Sequence, residues 1–481
     1  MPNRVALPPR RMPKTVRPAG VTAAVTATLL CGVMLVLAYL NKARCTGGPF
    51  TAEGRSEMFD SIKDSDVCYS DIQFLWLGRS INEHVFPYIS GGITPDGALT
   101  GGAVEYPVLS GLLMWLGAAG AEDDAVFLLH SALLLAPFAL LTAWMLGRLS
   151  GPAALLWAVG PPLLLYAFHN WELPVVWTSV AAMYVVTALT RYSLRARAIA
   201  AAVLLGIGFC LKLYPGIFVL PLLVYVLTGG VAHRAGSPRD GAAVPHGDDF
   251  DSRAGAYDVR GALAVAGAAI ATVVAVNLPF ALAGYEGWRA SITFQQLRQA
   301  DITTNSIWYW GLRPMFGDAP GSEQSFQDVV SAASPVLVLV SFLVAMLLGW
   351  RRFQAGEAFP WIGVSGAMLC GFLLFHKVHS PQYTLWLIPF LVLLEVPWSA
   401  IAGYLVADAA IGIGVFRYFY ALGAGESADI QQHIVQFGVW GRALLLVFFF
   451  FAFLRADLRG RKPDPAPVPT YPRGELVPVH R

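Results

Sequence analysis

Apolar residues in this chain neither alternate nor recur on a single face; they come in long unbroken runs, the first over residues 21–40. A run of about 20 residues spans a bilayer as a helix and exceeds the roughly 7–15 of a cleaved leader, so it is expected to remain as the first membrane helix. Further spans are expected at 125–147, 152–168, 172–190, 197–212, 214–229, 260–283, 330–350, 358–375, 382–396, 398–417 and 436–455. The chain therefore reads as an all-α polytopic membrane protein with about 12 transmembrane helices. Residues 107–120 are apolar but short for a crossing, and read as a re-entrant or interfacial helix with Pro107 in its first turn.

Basic residues give this pattern a direction. Arg4, Arg10, Arg11, Lys14 and Arg17 precede the first span, which places the tail 1–19 in the cytoplasm by the positive-inside rule. Under the same count Arg148, then Arg191, Arg195 and Arg197, then Arg351 and Arg352, then Arg455, Arg459 and Arg461 all fall inside. One membrane domain, 20–456, carries a long outer loop at 41–106 with short interfacial helices. The polar segment 230–259 is expected to be a disordered cytoplasmic loop, and 457–481 a Pro-rich cytoplasmic tail.

Composition agrees and narrows the class. Of 481 residues 56% are hydrophobic and 13% charged, with a mean hydropathy of +0.56, against about 25% charged in soluble domains. A net charge of +2, with basic residues at segment ends instead of along a stripe, excludes a nucleic-acid partner. Abundant Ala, Gly and Arg point to a bacterial plasma membrane. Cys31, Cys210 and Cys370 lie in apolar runs as small hydrophobes, whereas Cys45 and Cys68 share the outer loop; whether those two pair is left open.

Polar residues at the span ends gather on one side: Asp71, Glu105, His169, Glu172, Lys212, His376, Lys377, His379 and Gln382. Ionisable groups at a bilayer boundary are costly and commonly mark a site. Asp71 opens a short apolar stretch where Ser70 or Asp71 can cap a helix; the alternative is a half-desolvated carboxylate able to take a proton from a hydroxyl. Lys212 and Lys377, two of only six lysines, occupy tight outer turns, where they either snorkel to headgroups or bind phosphate. His376 and His379 can share a helix face, but no ligand pattern accompanies them and no metal is expected. Span interiors look almost free of charge, which weighs against the rival reading of a transporter or flippase of lipid-linked sugars.

At these residues the chain resembles the polyprenyl-phosphate-mannose-dependent α-1,2-mannosyltransferases of the GT-C superfamily, actinobacterial type. The matching stretches are Cys68-Tyr-Ser-Asp71-Ile, Glu105-Tyr-Pro-Val, Leu211-Lys-Leu-Tyr-Pro215, Asn305-Ser-Ile-Trp308 and Lys377-Val-His-Ser-Pro-Gln-Tyr383. The resemblance implies a GT-C-like helical bundle that moves a hexose, mannose in that family, from a polyprenyl-phosphate donor to a hydroxyl of a cell-envelope glycan or glycolipid, with inversion. It implies Asp71 as the base, with Lys212, Lys377 and His376 toward the donor phosphate. Glu105, His169, Glu172, His379, Gln382 and Tyr383 are then the candidate sugar or acceptor contacts. No cofactor is implied beyond the lipid-linked donor, which is a substrate.

Overall fold

The computed structural model describes residues 18–230 and 257–460. The basic tail, most of the polar 230–259 segment and the Pro-rich tail lie outside these residues.

Helix α1 (Pro18–Ala43) packs along α5, and the contact is built from small side chains. Ala24, Ala27, Cys31 and Ala38 of α1 are buried, as are Ala132, Ala139 and Ala143 on the other side. A Cβ on Gly147 would come within 2.4 Å of the Ala24 Cα. In lipid, helices gain little from hydrophobic exclusion, so close backbone approach through small residues is what holds such a pair.

Between them, the outer loop folds into α2 (Glu57–Ile62), α3 (Asp71–Gly78), a hairpin of β1 (Gly92–Ile93) with β2 (Leu99–Thr100), and α4 (Val108–Gly117). Cys45 and Cys68 form a disulfide, Cα to Cα 6.1 Å, that closes the start of the loop. At ten residues α4 is too short to cross, in line with the expected re-entrant segment. Its Ser110 hydroxyl donates to the Leu211 carbonyl at 2.7 Å and anchors it to the far end of α9.

Next come α5 (Asp124–Ser150), the broken pair α6 (Leu155–Ala158) and α7 (Pro161–Tyr166), α8 (Glu172–Ala188), α9 (Leu194–Leu211), α10 (Val219–Leu227) and α11 (Val259–Ala283). The span expected at 152–168 is thus two short helices with a break before Pro161 and Pro162, whose rings cannot continue a helical ladder.

The C-terminal half adds α12 (Tyr285–Leu297), α13 (Ser322–Gln354), α14 (Trp361–Phe375), α15 (Thr384–Leu393), α16 (Trp398–Gly423) and α17 (Asp429–Phe453). By length and composition, seven of the described helical stretches can cross a membrane, and five shorter apolar helices of 10–17 residues lie among them. All ten residues of α15 are buried, so this short helix is walled by protein and needs no lipid-spanning length. Helix α11 is the opposite case: only Gly261, Val265 and Ala269 are buried, and Leu263, Ile270 and Leu282 project outward as lipid-facing side chains do.

Two features differ from the sequence expectation. Helix α12 is polar along much of its length and carries no span signal, yet it folds because Gly284 and Gly287 let its start press on the main chain of Tyr88, Ile89 and Ser90. Segment 302–316 winds into three short irregular turns tied to α14 by the Trp308 indole, which donates to the Phe375 carbonyl at 2.8 Å.

The arginine-rich ends converge at one pole. Arg352 donates to the Leu454 carbonyl at 2.7 Å, Arg459 to Val396 at 2.8 Å, and Arg195 pairs with Asp258 at 2.8 Å. Asp71 and its neighbours occupy the other pole.

Candidate active site

Helix α3 begins with Ser70, whose hydroxyl accepts the Ile72 N–H at 3.2 Å and donates to the Phe168 carbonyl at 2.7 Å. Ser70 is therefore the cap, and the Asp71 carboxylate is free of that duty. Instead Oδ1 accepts from the Tyr69 hydroxyl at 2.9 Å and Oδ2 from the Asn170 amide at 2.7 Å. The Asp71 main-chain N–H donates to His169 O at 2.8 Å, locking the start of α3 onto the turn between α7 and α8.

The carboxylate remains 21% exposed, with the His169 Nε2 4.0 Å away. Burial first, then the nearby Lys42 and Lys212 charges, drive the His169 imidazole well below its usual range, so it stays neutral. Asn170 uses its second amide hydrogen on the Tyr106 hydroxyl at 2.8 Å, which couples Asp71 to the next group of side chains.

That group centres on Lys212, which ends α9 and forms an ion pair with the fully buried Glu172. Glu172 also accepts from the Trp386 indole at 2.6 Å. The ammonium lies 5.3 Å from the Tyr106 ring, 5.3 Å from Tyr383 and 5.6 Å from Trp386, inside cation–π range of all three. Tyr383 and Trp386 stack at 3.8 Å, and Tyr214 covers the other face of Trp386 at 4.2 Å. The result is a charged pair in an aromatic box, joined to the Asp71 carboxylate by two hydrogen bonds through Asn170.

Glu105 is engaged elsewhere. Arg79 holds its carboxylate at 2.6 and 3.1 Å with two nitrogens, and the Gln295 amide donates to its carbonyl at 2.8 Å. These bonds join the outer loop to α12.

The turn 376–383 closes the same pole. His376 stacks on Phe372 at 4.7 Å, and its Nδ1 donates to the Val378 carbonyl at 2.9 Å. Burial, with smaller effects from Lys377 and Arg298, pushes its pKa down to about 4, so at neutral pH it acts by hydrogen bonding. Lys377 donates to the Gln296 carbonyl at 3.3 Å and has no carboxylate partner among the described residues. The His379 main-chain N–H donates to Thr304 O at 2.7 Å, while its buried ring Nε2 and the buried Gln382 Oε1 have no hydrogen-bond partner among the described residues.

The expectation of charge-free span interiors is corrected at Asp408 in α16 and Arg442 in α17. These two, almost fully buried, pair at 3.6 Å. A single Asp and a single Arg in long apolar runs were the available signal, since neither belongs at membrane depth without a partner. Sequence reasoning also passed over Tyr69, Asn170 and Tyr106, which look like ordinary loop residues until the fold brings them to Asp71. Among the described residues no three His, Cys, Asp or Glu side chains converge as a metal site would require.

Fold and site together define a polytopic membrane bundle that gathers a partly exposed carboxylate, a buried cation and an aromatic box at one pole. More specifically, the sequence pattern of the mannosyltransferase (PIG-M) family matches residues 176–454, more than half of the chain, and the chain belongs to that family. The match takes in Lys212, the 376–383 turn, Asp408 and Arg442; Asp71, Asn170 and Glu172 precede it. The crystal structure of ArnT from Cupriavidus metallidurans bound to undecaprenyl phosphate is similar over 90% of this chain and 77% of that one, at 15% identity and a TM-score of 0.38. No curated protein matches the chain.

Proposed function

We propose that the protein transfers mannose from a polyprenyl-phosphate donor to a hydroxyl of a cell-envelope glycan or glycolipid at the outer face of a bacterial plasma membrane, with inversion at the anomeric carbon. The observation that carries this reading is the Asp71 carboxylate: relieved of capping, oriented by Tyr69 and Asn170, and still open to a substrate. Asp71 takes the proton of the acceptor hydroxyl as that oxygen attacks the anomeric carbon from the face opposite the phosphate. The bond from that carbon to the phosphate oxygen breaks, and polyprenyl phosphate leaves with the electron pair.

Charge building on the leaving phosphate calls for fixed cations. Lys377 supplies a cation with no carboxylate partner among the described residues, His376 lines the same turn as a neutral neighbour, and Lys212 contributes a charge already shared with Glu172. His169, His379, Gln382 and Tyr383 lie around this space as sugar or acceptor contacts. Glu105, held by Arg79, shapes the outer wall. The gathering of arginines at the opposite pole supports an outward-facing site by the positive-inside rule.

Asp71→Asn in membranes supplied with polyprenyl-phosphomannose tests the assignment. Transfer is expected to fall by about 10²–10⁴-fold at unchanged protein abundance; full activity in that variant removes Asp71 as the base.

A further inference from the structure

The outward faces of α16 and α17 leave a groove of about 570 Å³, in which Val406, Ala410, Ile413 and Arg417 of α16 face Ile430 and Ile434 of α17. Spacings of four, three and four residues set the four α16 side chains in one line along the helix. A Cβ on Gly414 would come within 2.9 Å of Ile434 Cγ2, so the two helices meet at the floor of the groove. Val406, Ile413, Ile430 and Ile434 are exposed along its walls, as side chains that face lipid are.

Depth and charge both point to an occupant. Helix α16 begins at the arginine-rich pole, where the Arg459 guanidinium lies 4.7 Å from the Trp398 ring, and runs to the pole of Asp71, where Phe416 stacks on Tyr69 at 5.4 Å. From Val406 to Arg417 the groove is about 16 Å long at 1.5 Å per residue, roughly half of the ~30 Å hydrocarbon core, and so covers one leaflet on the Asp71 side. Arg417 stands at the end of the groove nearer that pole; it is exposed and has no hydrogen bond or ion pair among the described residues. The turn joining the two helices carries Glu426 and Asp429, but neither pairs with Arg417, and Asp429 accepts the Ser427 hydroxyl at 3.0 Å instead. A lone cation at the edge of hydrocarbon is costly, and a guanidinium fork matches phosphate.

We propose that this groove holds an anionic diacyl phospholipid of that leaflet, one acyl chain lying along the line from Val406 to Ile413 and the phosphate on Arg417. A zwitterionic phospholipid brings its own ammonium to compete for that phosphate, so Arg417 selects for the anionic kind. The reacting donor is a different molecule. Asp408 and Arg442 mark the buried faces of the same two helices, and Arg442 donates to the His379 carbonyl at 3.2 Å, so α16 and α17 themselves stand between the groove and the 376–383 turn. A polyprenyl chain is also several times longer than the groove. Occupancy of the groove therefore stands or falls apart from the transfer reaction.

Delipidated protein in neutral detergent is titrated with phosphatidylglycerol and, separately, with phosphatidylcholine of the same acyl chains, and bound lipids are counted by native mass spectrometry. The first lipid is expected to bind about fivefold more tightly as phosphatidylglycerol, the share that one Arg at an anionic headgroup supplies. Arg417→Gln should bring that ratio below about twofold. Ala410→Phe fills the groove, leaves the charge in place and should abolish the first binding step for both lipids. A wild-type ratio near one, a ratio that survives Arg417→Gln, or binding unchanged in Ala410→Phe overturns the proposal. One-for-one displacement of phosphatidylglycerol by polyprenyl phosphate overturns it as well, since the groove would then belong to the path of the donor.

Discussion

Removing one member of the Glu172–Lys212 pair should expose how much of the site is held together by charge. In Lys212→Met, the fully buried Glu172 keeps only the Trp386 indole at 2.6 Å, and an unpaired buried charge costs about 3–5 kcal/mol. Glu172→Gln should cost less, about 1–3 kcal/mol, because the glutamine oxygen still accepts from Trp386 and Lys212 keeps three aromatic faces at 5.3–5.6 Å and some contact with solvent. With both changes no charge is stranded, so the double variant should be more stable than Lys212→Met alone, with a coupling of about 2–3 kcal/mol. Equilibrium unfolding in mixed micelles measures all four corners of this cycle. Additivity to within about 0.5 kcal/mol would refute the argument, since it would mean the two side chains do not depend on each other. Transfer kinetics on the same preparations then isolate the contribution of Lys212 to donor use from its part in folding: a raised donor KM in the stable double variant marks the functional share.

Asn170→Leu should lower kcat by about 10–100-fold with little change in donor KM, because it releases Asp71 and Tyr106 together without touching the phosphate end; a pure KM effect would contradict that positioning role. Acidification should destabilise the protein as pH falls from about 6.5 toward 4. His376 is held neutral in the fold, so the stability tied to it is complete above its unfolded value and is lost on the way down to its folded pKa of about 4; unfolding profiles of His376→Gln should be flatter across that window. Reduction of Cys45–Cys68, which closes a separation of 23 residues, should cost about 3 kcal/mol, and an unfolding midpoint insensitive to reductant would show that the outer loop does not need the bond.

Much of the architecture was written in local pattern. Long apolar runs specify membrane helices wherever they occur, and arginine clusters at alternate ends fix which ends share a pole; both are properties of short stretches and survive being read one stretch at a time. The re-entrant length of α4 and the gathering of Asp71, His169, Glu172, Lys212 and the 376–383 turn were legible in the same way. Helix α12 was not, because its stability comes from two glycines meeting a loop nearly 200 residues earlier and not from its own hydropathy.

Partnerships were beyond the reach of pattern. Only the packed helices decide that Ser70 and not Asp71 caps α3, that Asn170 reaches Asp71 across 99 residues, that Trp386 reaches Glu172 across 214, and that Arg79 holds Glu105. The same holds for Arg442 and Asp408, each an isolated oddity in its own span. A charge inside lipid is costly alone and tolerable in company, and company is a matter of distance in space, which the order of residues does not contain.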